Sequence, residues 1–342
     1  EHKGRVIYDA TACPQDIAYP TDLNLLSDAR EKLEELIDHI YTKELHQVKP
    51  RTYRQVARKK YLQTAKKKNK SRKVIRKANR CQLNFVKRDI AIVNELLDVY
   101  QINNLKFPLN PSQQKYLFVV QTLYDQQKQM FDNNTHSVEH RIVSIHQPHV
   151  RPIVRGKAQA KVEFGSKIHV SIIDGISFLD ELSWDAVKEG NHMMDYIQKY
   201  RKRFGCYPRE VLADQIYCTR ANRAALKELG IKLLAKPLGR PSALSIHVSP
   251  GERNPIEGKF GQAKTGYGLN RIKARLKGTS ESWIASIILV LNLVKLAGVV
   301  LLCKIVNFWS FSARLLKMIF LNLSYSFRQI DDSRQILYLN AV

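Results

Sequence analysis

The spacing of apolar residues changes character more than once along this chain, and each change predicts a different element. Near the start, Arg-Val-Ile-Tyr-Asp at residues 5–9 predicts a short strand ending on Asp9, with Pro14 as punctuation soon after. Thr21 then precedes Asp22 and a run of Leu23, Leu26, Leu33, Leu36 and Ile37. Intervals of three, four and seven residues predict a helix capped by Thr21 and running to about Tyr41. Residues 42–135 hold few turn signals apart from Pro50 and the Phe107–Pro111 stretch. Helix formers dominate there, which predicts an all-helical insertion of roughly a hundred residues set between strands of another fold.

From His140 the pattern turns to short apolar runs. Arg141–His146, Ala160–Phe164 and Lys167–Ile173 predict strands, the last two joined by Gly165, and Asp174-Gly175 is a turn signal. Trp184–Phe204 predicts a helix that closes at the loop Gly205–Pro208. Glu210–Asp214 predicts a strand ending on an acid, Thr219 caps a helix stopping at Gly230, and Ile231–Ala235 follows as another strand. Residues 236–253 predict a loop, after which Asn254-Pro255 opens a helix by cap and first-turn preferences. This β–α–β alternation predicts an α/β sheet. Ile284–Cys303 is twenty mostly apolar residues interrupted by Asn292 and Lys295. Its length suits a membrane span, but a central Lys costs about 2.5–3.5 kcal/mol there, so a buried helix packed on a sheet is the expectation and a membrane is not expected as a partner. The tail from Asp331 carries no usable motif.

Charge sharpens this outline. The formal net charge of the 342 residues is +25, and from Lys49 to Arg88 there are 17 Lys or Arg and no Asp or Glu. Like charges four apart destabilise a helix, so a solvated helical face is a poor explanation for that block. A polyanion, DNA or RNA, is the expected partner. The five cysteines are scattered without a C-x-x-C pair, which argues against a zinc knuckle or disulfide framework and fits a reducing cytosol. There is no signal peptide at the start.

Three acids carry the candidate chemistry. Asp9 and Asp214 each follow an apolar run at a predicted strand end, where open α/β sheets gather ligands. Glu257 lies in Arg253-Asn-Pro-Ile-Glu257-Gly-Lys-Phe-Gly-Gln-Ala-Lys264, with Arg and Lys four residues before and seven after it. Glu257 and Lys264 then share one helix face. The competing role for Glu257 is a capping box with Asn254. Asp174 and Asp180 compete as first or second acid, although turn chemistry accounts for Asp174-Gly175. His146-Gln-Pro-His149 offers too few ligands for zinc and predicts ordinary strand or loop histidines. Trp184, Tyr217 and Trp283 predict core or groove aromatics, and no Ser-His-Asp motif is present.

Three segments together resemble an insertion-sequence transposase with an RNase H-like DDE catalytic domain. They are Tyr8-Asp9-Ala-Thr11 with Tyr19-Pro-Thr-Asp22 behind it, Leu212-Ala-Asp214-Gln-Ile-Tyr217, and Arg253–Lys264. Related enzymes often place a Tyr three residues before the Arg, whereas this chain has Pro250. The resemblance covers most of the chain from residue 5 to about 295, and implies an RNase H-like mixed sheet flanked by helices, with an all-α insertion after the first strand. The implied divisions are 1–41, first strand and helix of the catalytic domain; 42–138, basic insertion; 139–295, remainder of the catalytic domain; and 296–342, an apolar helical tail. It further implies that Asp9, Asp214 and Glu257 bind two Mg²⁺ ions, with Mn²⁺ as a substitute, for strand cleavage and joining at double-stranded transposon ends and target DNA. Arg253 and Lys264 would contact DNA near the scissile bond, with Lys259 and Arg271 as further candidates, and Lys66, Lys67, Lys68, Lys70, Arg72 and Lys73 would grip its backbone. A bacterial cytoplasmic homo-oligomer is implied. Such enzymes carry a DNA-recognition region before the first Asp, and only eight residues precede Asp9 here, so a shortened and inactive form is one version of this reading. The alternatives are a non-catalytic nucleic-acid-binding remnant and a basic membrane-associated protein.

Overall fold

The computed structural model describes residues 2–154, 162–185, 189–235 and 250–299, together with 301 and 312. The chain divides into two compact units, Glu1–Ile288 and Leu289–Val342. The first unit opens with β1 (Arg5–Pro14), continues through four helices, α1 (Asp22–Ile40), α2 (Arg54–Ala65), α3 (Arg72–Ile102) and α4 (Pro111–Asp132), and returns to the sheet with β2 (Arg151–Val154). There follow β3 (Val162–Ile173), β4 (Ile176–Ser183), α5 (Met193–Phe204), β5 (Glu210–Ala213), α6 (Arg220–Glu228), β6 (Lys232–Leu234) and α7 (Asn254–Gly266). A further helix, α8, spans Lys277–Val299.

The sheet explains how distant segments meet. Strand β1 is central, antiparallel to β3 on one side and parallel to β5 on the other. Beyond β3 lie β4 and, at its start, β2, both antiparallel; beyond β5 lies β6, parallel. Apart from the short β2, the order is therefore β4-β3-β1-β5-β6, a three-stranded antiparallel half joined to a parallel half. With helices on its faces and a helical insertion after the first strand, this is an RNase H-like α/β fold.

Among the described residues two large cores stand out. One gathers Leu26, Leu33 and Ile37 of α1 with Val86 and Val93 of α3 and Val120 and Leu123 of α4. The other packs Val6 and Tyr8 of β1 and Val211 and Ala213 of β5 against Met193, Tyr196 and Ile197 of α5. Thr21 caps α1 by accepting from the Asn24 amide, and Thr219 caps α6 by accepting from the Asn222 amide, as their spacing predicts. Gly230 takes φ +68 just beyond α6, a left-handed turn that glycine adopts without Cβ strain.

Several expected elements differ. The first strand does not end at Asp9 but runs on to Pro14, because Asp9–Pro14 pair with Val170–Gly165 of β3. Gly165 does not separate two strands but lies inside β3, where a Cβ would clash with the Cys13 carbonyl oxygen. Residues 141–146 are not a strand. Their apolar side chains split between two cores, Ile142 and Ile145 toward the helices and Val143 toward Val150 and Trp184. The predicted helix from Trp184 instead starts at Met193, after β4 and a 3₁₀ turn at Glu189–His192. The loop expected at 236–253 falls mostly outside the described residues, and its end, Pro250–Arg253, is a 3₁₀ turn. The apolar segment is not a buried helix: the most apolar stretch of α8 is 22% buried, with Ile284, Ile287 and Ile288 inside and Leu289, Leu293, Val294 and Leu296 exposed. By length and composition α8 passes for a membrane span.

Candidate active site

Strand register brings the first two acids together. On parallel strands β1 and β5, Tyr8 pairs with Ala213, so Asp9 and Asp214 are the next residues on adjacent strands although 205 positions separate them. Asp9 lies mid-strand, but at the point where β5 stops, so both carboxylates emerge where the parallel pairing ends. Tyr8 and Ala213 point into the core shared with α5. By strand alternation, Asp9 turns to the opposite face.

Helix α7 approaches β1. Its buried stripe is Ile256, Phe260 and Ala263, spaced four and three apart, while Glu257 stays exposed and Lys264 half-buried. The preceding 3₁₀ turn is tied to β1 by an ion pair between Glu252 and Arg5. That contact delivers Arg253 to the acids. Its Nη2 donates to Asp9 Oδ2 at 2.9 Å, and its Nη1 lies 3.1 Å from Asp214 Oδ1. One guanidinium thus spans both carboxylates. Each carboxylate also accepts from the next backbone amide, Asp9 Oδ1 from Ala10 at 2.8 Å and Asp214 Oδ1 from Gln215 at 2.7 Å.

Burial pushes the Asp9 carboxyl above its ordinary range. The Ala10 amide and Arg253 oppose this, while the neighbouring Asp214 charge adds to it. Two carboxylates at this spacing call for a cation between them. Arg253 supplies one charge, and a hard divalent ion suits the same oxygen donors.

The third acid stands apart. The cap of α7 is Arg253, not Asn254, and it makes no side-chain capping bond, so the capping-box role for Glu257 is not realised. Glu257 lies about one helical turn, roughly 6 Å of rise, beyond Arg253 on the same helix face. Among the described residues no three His, Cys, Asp or Glu side chains gather closely enough to hold a metal ion. The competing acids are committed elsewhere, Asp180 to Arg203 at 2.7 Å and Asp174 to the positive-φ turn after β3. His149 packs edge-on against Trp184, and His146 pairs with the Tyr116 hydroxyl. Trp184 and Tyr217 are buried, whereas Trp283 is 45% exposed.

A cavity of about 680 Å³ between the helices and the sheet, lined in part by Tyr19, Tyr61, Phe164 and Lys70, does not touch Asp9 or Asp214.

Residues 211–294 match the family described as transposase DDE domain. That match spans about a quarter of the chain and supports its resemblance to insertion-sequence DDE transposases. The match begins on β5 and includes Asp214, Arg253, Glu257 and Lys264; Asp9, β3 and the basic helices precede it. Among curated proteins no match to the chain is found. Sequence reasoning singled out Asp9, Asp214 and Glu257 but missed the Arg5–Glu252 tie and the Arg253 bridge. Both are contacts across some 245 residues, which leave no local signature.

The basic block occupies α2, the turn after it and the first half of α3. Lys66, Lys67, Lys68, Lys70, Arg72 and Lys73 are all exposed. Arg72 reaches Asn134 through a hydrogen bond, and among the described residues none of the six forms an ion pair with an acid. Elsewhere in the block, Lys49 and Arg54 pair with Asp38, and Arg88 with Asp89. Ser71 caps α3, so the turn cations crowd the positive end of a 31-residue helix. That placement is unfavourable without a counter-charge and favours an anion.

Proposed function

We propose that this chain is a divalent-metal-dependent DNA transposase that cleaves and joins strands by phosphoryl transfer at insertion-sequence ends. The observation that carries the reading is the meeting of Asp9 and Asp214 on adjacent strands of an RNase H-like sheet, bridged by one guanidinium. The match over residues 211–294 supports it.

The two aspartates offer a hard oxygen donor set that fits Mg²⁺ or Mn²⁺, and Glu257 would complete it from α7. When bound, two such ions supply charge neutralisation at the attacking and leaving oxygens. The residues of the chain supply rigid placement. Asp9 is held within β1 and Asp214 directly follows β5, and each carboxylate accepts from the next backbone amide. Lys264, with Arg253 when released from the aspartates, would hold DNA phosphates near the reacting bond. The helical insertion would hold flanking duplex through backbone contacts that read charge and not sequence. A homo-oligomer would bring two transposon ends together.

The test is strand cleavage of duplex DNA with and without Mg²⁺ or Mn²⁺. The reading requires cleavage that depends on the ion and disappears in Asp9→Asn and Asp214→Asn variants that still melt like the parent. DNA binding without cleavage, unchanged by Asp214→Asn, would establish the non-catalytic alternative instead.

A further inference from the structure

We propose that Arg253 is a positioning residue that couples DNA binding to metal loading: it clasps Asp9 and Asp214 until a DNA phosphate draws it away and frees their oxygens for the cation. The proposal rests on the metal-dependent reading above and adds an order to it.

The geometry supplies the competition. Arg253 uses Asp9 Oδ2 at 2.9 Å and Asp214 Oδ1 at 3.1 Å, oxygens of two different carboxylates on neighbouring strands. A divalent ion held by these aspartates would need the same two carboxylates. Guanidinium and metal would repel each other there, so one must leave for the other to enter.

The side chain is also built to be transferable. Its backbone is pinned, because the 3₁₀ turn is tied to β1 through Glu252 and Arg5 and leads directly into α7. Among the described residues the guanidinium hydrogen-bonds or ion-pairs with the two carboxylates, and its Nε is buried without a hydrogen-bond partner. Several rotatable bonds separate the fixed Cα from the charged fork. A phosphate offers that fork the paired oxygens it prefers, so it can exchange one anionic partner for another without moving α7. Arg253 immediately precedes α7, one turn before Glu257. The coupling is reciprocal by thermodynamic necessity: DNA tightens metal binding as much as metal tightens DNA binding.

The experiment is Mn²⁺ titration of the full chain, read by the loss of the free-ion paramagnetic resonance signal, with and without a short non-cognate duplex. Parent, Arg253→Gln, Arg253→Lys and Asp214→Asn are compared. Without DNA, Arg253→Gln should bind Mn²⁺ about tenfold more tightly than the parent, within the ordinary range of coupling between sites. Adding duplex should tighten Mn²⁺ on the parent about tenfold, yet change Arg253→Gln less than about twofold. If Arg253→Gln does not fold by circular dichroism, Arg253→Lys replaces it, since one ammonium cannot span both carboxylates as a fork does. Equal or weaker Mn²⁺ binding by the variant, or equal tightening by DNA in both proteins, overturns the coupling. Loss of the site in Asp214→Asn alongside either result leaves the metal reading standing. A Mn²⁺ response that Asp214→Asn does not alter overturns the metal reading and the coupling with it.

Discussion

Replacing Lys66, Lys67, Lys68 and Lys70 together by Gln tests the role of the helical insertion. These four side chains are exposed on the turn between α2 and α3 and just before the Ser71 cap. None lies in either hydrophobic core, so the substitution should leave folding intact. Each phosphate neutralised by a cation contributes about −0.9 to the slope of log K against log salt. If all four contact phosphates, the slope becomes shallower by roughly 3.6. Over a fourfold change in salt, that difference corresponds to about 150-fold in relative affinity. Fluorescence anisotropy with a labelled duplex at several salt concentrations measures both quantities. The variant should bind more weakly at low salt and converge on the parent as salt rises. An unchanged slope, with circular dichroism confirming the fold, would show that DNA does not lie across this turn.

Three further outcomes follow from particular side chains. Burial raises the Asp89 carboxyl to about 6 from its ordinary 3.8, even with Arg88 beside it. An acid with a raised folded pKa binds its proton more tightly in the folded state, so stability falls as pH rises from about 4 to 6. A shift of about 2 units corresponds to roughly 3 kcal/mol. Urea unfolding from pH 4 to 7 should show Asp89→Asn losing that part of the parent's pH slope, and an identical slope in both would remove Asp89 as its source. Gly165→Ala places a Cβ against the Cys13 carbonyl and the Pro14 Cα. It should lower stability by about 1–3 kcal/mol, the usual cost of forced overpacking, and a thermal melt equal to the parent's would contradict the close β1–β3 approach. Glu257 is exposed and caps nothing, so Glu257→Gln should melt like the parent while abolishing metal-dependent cleavage; retained cleavage would remove it from the acid set.

The elements legible in the sequence were those whose causes are local. The Thr21 and Thr219 caps, the strand ending at Asp214 and the turn at Asp174-Gly175 each follow from neighbouring residues. Elements fixed by distant pairing were not. The extension of β1 from Asp9 to Pro14 depends on β3, about 155 residues away. Residues 141–146 have the apolar content of a strand, but their side chains fill two separate cores. The candidate site divides the same way. Residue types and spacing, together with the family resemblance, singled out Asp9, Asp214 and Glu257, and the resemblance implied a DNA contact for Arg253. Only the fold shows Arg253 lying across both aspartates, because strand register and the Arg5–Glu252 tie together create that contact.

The most direct measurement is a crystal structure of the chain with Mn²⁺ and duplex DNA, read through the anomalous signal of manganese. Anomalous peaks should fall between the carboxylates of Asp9 and Asp214, with Glu257 turned toward them and Arg253 on a DNA phosphate. DNA bound with no peak there, and Arg253 still spanning the two aspartates, would contradict the account.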